Sequence, residues 1–171
     1  MAVPSGRPVA DPHRGRAAFA EHLPRVLRGR TMKQLGWKQP TPLSLIVPMY
    51  AGPEGADDYT LRLSFEYYPV WPASGIFVNP ETGAFDQQRD LYWLPRIGDD
   101  PGFRVHQHYG HPGYTGQLLC CSFVAEFYRI EHQVQAEHLW DGERFTFEAT
   151  IERVQRTLRS SFSIWRWKSV V

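Results

Sequence analysis

The chain has 171 residues, enough for one domain with a sizeable core and too few for two comfortable ones. Hydrophobic residues make up 42% and charged residues 22%, a globular balance that excludes wholesale disorder. The net charge is +1, so nothing in it calls for nucleic acid or an anionic membrane surface. No run of eighteen apolar residues offers a membrane span. The first fifteen residues carry Pro, Arg, His and Asp where a signal peptide needs an apolar core, so the default expectation is cytoplasmic.

Residues 1–14 are rich in Pro, Gly and charge and read as a flexible leader, followed by a single domain over 15–171. The spacing of Phe19, Leu23, Val26 and Leu27 predicts a helix over Arg16–Trp37, which Pro24 or Gly29 can interrupt. From Leu43 the period changes to two. Leu43–Tyr50 reads as a strand, residues 52–58 as a turn, Tyr59–Phe65 as a half-buried strand and Gly75–Asn79 as a third. Residues 80–105 read as irregular, with a short strand at Leu91–Pro95. The apolar run Gln117–Tyr128 reads as a buried strand, although it is long for one. Phe147–Leu158 is an amphipathic helix, with Glu148 and Glu152 toward its start and three arginines toward its end, as the helix dipole favours. Phe162–Trp167 alternates like an edge strand or docking segment. A helix, then a meander of strands, then helices point to an α+β fold rather than alternating α/β.

Cys120 and Cys121 are the only cysteines, nine and ten residues after His111. Neighbouring cysteines bond to one another only through a strained ring, so both are expected as free thiols. A thiol downstream of a His-Pro turn, at the end of an apolar run, suits thioester chemistry. The alternative is that both are small core residues, because free cysteine is among the most buried types.

In order, these features resemble the ubiquitin-conjugating (E2, UBC-like) family, in its divergent bacterial form. Tyr68-Pro69-Val70-Trp71-Pro72 matches that family's Tyr-Pro-x-x-Pro turn. His111-Pro112-Gly113 resembles its His-Pro-Asn, Gly116 and Leu118-Leu119-Cys120-Cys121 its Gly and apolar-Cys-apolar element, and Trp140 with the helix after Phe145 its closing Trp and helices. The chain departs from the pattern in two ways. Residues 73–110 separate Pro72 from His111, a longer stretch than the family uses, and Gly113 replaces the Asn.

The resemblance implies a UBC-like fold with an N-terminal helix, an antiparallel β-meander and C-terminal helices. It implies an E2-like carrier that accepts a ubiquitin-like protein from an E1-like activating enzyme as a thioester on Cys120 or Cys121 and passes it to an amine. It also implies a deubiquitinase-like partner and a role in bacterial antiphage defence. His111 is then the structural or acid-base histidine, and Tyr109, Tyr114 and Trp140 the residues that contact substrate, the tyrosines as hydrogen-bond donors to an oxyanion. No cofactor is expected, because activation belongs to the E1-like partner and the chain has no phosphate-cradling Gly-rich loop.

Two other readings stand beside it. One is an E2-like binding module without catalysis, which the missing Asn and the long connections favour. The other is a metal-dependent hydrolase using His106, His108 and His111, with Cys120 as a fourth ligand. The basic residues of the first helix form either a surface for the E1-like enzyme, as the resemblance implies, or an ordinary solvated face.

Overall fold

The structure is a computed structural model that describes residues 6–51, 58–98, 100–112, 114–130 and 139–160, with the backbone of Ile164–Arg166. The chain is α+β: an N-terminal helix, antiparallel strands, and helices toward the C-terminus.

The first helix, α1 (Pro12–Leu27), begins four residues before Arg16. Asp11 caps it, its side chain accepting from Arg14 N–H at 3.0 Å, and Pro12 occupies the first helical position, where a missing N–H costs nothing. The spacing of Phe19, Leu23, Val26 and Leu27 could not show this start, because the signal lies in the cap rather than in the apolar spacing. The helix continues through Pro24 for less than one turn. It ends at Leu27, where Arg28 turns left-handed (φ 50°) and donates to the Pro24 carbonyl at 3.2 Å. The expected continuation to Trp37 is therefore cut short. Gly15 faces the core. A Cβ there would lie 1.8 Å from the Phe65 carbonyl oxygen, so only glycine lets the helix approach this closely.

β1 (Lys38–Thr41), β2 (Ser44–Tyr50), β3 (Asp58–Ser64) and β4 (Ser74–Phe77) form an antiparallel meander in that order. The three strands expected from alternation are β2, β3 and β4. β1 was not foreseen because all four of its residues are exposed and carry no alternation. Leu45, Val47 and Met49 of β2, Tyr59, Leu61 and Leu63 of β3, and Phe77 of β4 point inward and are buried. Ile46, Arg62, Ser64 and Ile76 face the other side. α1 closes the inner face through Phe19, whose ring stacks on Phe65 with centroids 4.0 Å apart.

After a short 3-10 turn at Leu91–Trp93, β5 (Pro95–Ile97) follows where a strand over Leu91–Pro95 was expected. β6 (Arg104–His111) and β7 (Tyr114–Cys120) then form a hairpin. Gln117 fastens this hairpin to the edge of the meander. Its buried amide donates to the Phe77 carbonyl at 2.9 Å and accepts from Phe77 N–H at 2.7 Å, replacing one rung of a ladder.

The apolar run after Gln117 does not stay extended. The chain turns at Cys121–Val124 and forms α2 (Ala125–Arg129); Gly75, having no side chain, leaves room for Val124 and Leu119 against the sheet. α3 (Phe147–Arg159) covers the inner face with Phe147, Val154 and Leu158, and Thr146 caps it by accepting from Glu148 N–H. β8 (Ile164–Arg166) pairs antiparallel with β5, so the alternating tail does pair as a strand; the Trp165 side chain and Trp167 lie outside the described residues. Among the described residues no helix is long and apolar enough to cross a membrane.

Candidate functional site

The Tyr68-Pro69 turn is the structural hub of the chain. Tyr68 is buried, with its hydroxyl between two elements: it is hydrogen-bonded to His22 Nδ1 of α1 and accepts from Phe147 N–H, at the start of α3, at 3.3 Å. The Pro69 carbonyl accepts the Trp140 indole N–H at 3.0 Å. Gly142 seals that contact, because a Cβ there would stand 2.2 Å from the Pro69 oxygen. Trp140 N–H in turn donates to the Tyr128 hydroxyl at 2.8 Å, and that hydroxyl donates to the Ser122 carbonyl at 2.9 Å. The turn, Trp140 and the segment just after the cysteines are thus joined by a short chain of hydrogen bonds.

Trp140 was expected to contact substrate, and its position corrects that. It is fully buried, its ring packed between Tyr68, Phe123 and Phe145. An indole closed off on all sides braces the turn and has no face left for a ligand.

Both cysteines are free thiols. Cys121 is 2% exposed, lies within the hydrophobic core, and has its thiol pushed up to about 12, mainly by burial. It is a packing residue, which removes it from the pair of candidate nucleophiles. Cys120 closes β7 and is only partly buried. Burial raises its pKa too, and the Arg104 guanidinium opposite opposes that rise.

His111 is not beside either sulfur. The hairpin register pairs Cys120 with Arg104 and His111 with Tyr114, at the two ends of the ladder. Six residue steps at about 3.3 Å each put roughly 20 Å between them. The expected grouping of the thiol with His111, Tyr109 and Tyr114 fails for a simple reason. Residues that look like a turn and a catalytic loop belong instead to a paired hairpin, irregular only between His106 and Tyr109, and its extended strands carry their ends apart.

The tyrosines group with the histidines rather than with the sulfur. The Tyr109 ring lies 5.1 Å from His106 and 6.5 Å from His111. Tyr114 donates its hydroxyl to the Gln117 carbonyl, and burial raises its pKa. Among the described residues no three His, Cys, Asp or Glu side chains come together to hold a metal ion, so the hydrolase reading finds no centre there. Gly113, His132 and His138 lie outside the described residues.

Two residues of this region were not singled out from the sequence. Gln117 is the buried clamp described above, and Glu126 is a buried acid on α2. Glu126 did leave a signal, a lone carboxylate inside the apolar run Phe123–Tyr128. A charge that sits where the chain is otherwise built for burial is a candidate for a special environment.

No protein-family model, no curated protein and no solved structure matches the chain.

Proposed function

We propose that the chain is an E2-like carrier in a bacterial ubiquitin-like conjugation system, with Cys120 as the acyl-bearing residue. One observation carries the reading: the Tyr-Pro turn, the Trp and the closing helix, distant in sequence, pack as a unit through the Trp140–Pro69 and Phe147–Tyr68 hydrogen bonds. A helix, a four-stranded antiparallel meander and this unit are the parts a UBC-like fold requires. Cys120 is the less buried of the two cysteines, at the end of the strand fastened to the meander.

In the reaction, Cys120 Sγ attacks the carbonyl of a ubiquitin-like protein held as a thioester on an E1-like enzyme. The new sulfur–carbon bond replaces the old one, and the E1-like sulfur leaves as a thiolate. An acceptor amine then attacks the same carbonyl and Cys120 recovers its thiol. His111 has no part in these steps. Activation by ATP belongs to the E1-like partner, and antiphage defence with a deubiquitinase-like partner is the setting the resemblance suggests.

A second reading is an E2-like binding module without catalysis. The raised pKa of Cys120 and its separation from His111 favour it. One experiment separates the two. The purified chain is incubated with an E1-like enzyme, a ubiquitin-like protein and ATP, and adducts are resolved with and without reductant. A reducible adduct that persists in Cys121→Ala and vanishes in Cys120→Ala is the expected result. An adduct surviving in Cys120→Ala overturns the assignment. Binding of the ubiquitin-like protein with no adduct leaves the binding module.

A further inference from the structure

α2 is five residues long, yet it carries a carboxylate almost wholly withdrawn from solvent. Glu126 is 4% exposed. It accepts from Gly75 N–H at 3.3 Å and from the Ser74 hydroxyl, so its oxygens have neutral donors. It has no cation. Among the described residues no Lys, Arg or His side chain stands within ion-pair distance of it. Arg129, on the same helix, is felt electrostatically, but its guanidinium lies over the rings of Tyr67 and Tyr114, 5.9 and 5.2 Å from their centroids. Buried carboxylates are ordinarily paired with a cation or surrender their charge, and burial here raises the Glu126 pKa.

Glu126 is not sealed inside the core. It lines an open cleft of about 230 Å³ between the outer face of β3–β4 and the hairpin. Arg62, Ser64 and Glu66 form one side, Ser74, Gly75 and Ile76 another, and Tyr114 the wall. A water molecule takes about 30 Å³ of liquid, so the cleft has room for about seven waters or one side-chain-sized group. Drug-sized ligands need about 300–1,000 Å³, which is too much for it. The charge it offers is uneven. Arg62 donates to the Gly83 carbonyl at 2.9 Å, which directs part of its guanidinium away, while Glu66 adds a second carboxylate to Glu126.

We propose that this cleft binds a small organic monocation, a primary alkylammonium or alkylguanidinium group, with the Glu126 carboxylate as counter-charge and Tyr114 and Ile76 against its alkyl stem. Arg62 and Arg129 disfavour a second positive group, so a dication such as a diamine binds less well. The same head group is found on free amines and guanidines and on lysine and arginine side chains of proteins. The site uses neither sulfur and does not depend on acyl carriage.

The test is NMR on the full chain, following the Gly75 amide and the Glu126 side-chain carboxyl during titration with n-butylammonium and n-butylguanidinium. A second arm uses end-capped peptides with one central Lys or Arg. The expected result is a saturable shift of the Gly75 amide, with the Glu126 carboxyl titrating at lower pH once the cation is bound. Binding of the free compounds points to a small-molecule ligand; binding of the peptides alone points to a side chain of another protein. Glu126→Gln keeps the shape and one acceptor oxygen, removes the charge, and should weaken binding at least about tenfold, or about 1.4 kcal/mol. Should that variant fail to fold, Ile76→Trp fills the cleft from the sheet side and should abolish binding while sparing the acid. No shift in either arm, or unchanged binding in a folded Glu126→Gln, overturns the proposal.

Discussion

Alkylation by iodoacetamide at neutral pH measures the two thiols side by side, since the rate follows both access and thiolate population. Below its pKa a thiol loses tenfold in thiolate for each pH unit. Cys121, pushed from 9.0 to about 12, therefore carries about a thousandfold fewer thiolates than an ordinary cysteine. At 2% exposure it also needs a local opening before reagent can reach it. Cys120 has the same direction of shift with partial exposure, so its rate belongs between that of Cys121 and that of the unfolded chain. The assay follows Cys120→Ala and Cys121→Ala separately by mass spectrometry, folded and in urea. In urea the two sulfurs should label alike. In the folded chain Cys121 should be slower than Cys120 by orders of magnitude. Folded Cys121 reacting within tenfold of its urea rate would refute the burial argument. Cys120 reacting faster than in urea would show that a neighbouring charge, and not burial, governs its acidity.

Two further predictions concern the frame around the site. Asp100 is 5% exposed and anchors the β5–β6 connection to α3: burial alone would raise its pKa, but Gly102 N–H, two-pronged contacts from Arg153 at 3.2 and 3.3 Å, and the Thr157 hydroxyl at 3.0 Å outweigh that and lower it. Asp100→Ala strands the Arg153 charge and should cost about 3–5 kcal/mol in urea unfolding; a loss below about 1 kcal/mol would contradict the network. Burial lowers the His22 pKa below 6.5, Glu21 opposing and Arg25 assisting, and the ring is hydrogen-bonded to the Tyr68 hydroxyl. A histidine depressed in the folded state contributes stability that is complete above pH 6.5 and declines as pH falls through the folded value. The stability difference between the chain and His22→Phe should therefore shrink on acidification from neutral pH toward pH 5, and a difference that grows would reverse the assignment.

What could be read without coordinates came from patterns that repeat within one element. Alternation in 43–50 and 59–65 located two strands because one face of each is buried, and the spacing of Ile151, Val154 and Leu158 located α3 for the same reason. The α+β class and the free thiols followed from such local rules. Where a segment has no buried face to reveal it, as in β1, the pattern was silent.

The site depended on partners far away in the chain. Cys120 and Cys121 are chemically identical neighbours, and only the packing of α3 and the turn at 121–124 against the sheet put one of them in the core. The sequence places His111 nine residues from Cys120, but it cannot tell whether the residues between them curl up or extend; Tyr114–Cys120 extends as β7 and carries Cys120 to the far end of the ladder. Trp140 looked like a residue available to a substrate until Pro69, 71 positions earlier, took its N–H. Residue type and spacing are local quantities, whereas burial and distance are fixed by long-range contact, and it is the latter pair that decides which side chains can do chemistry.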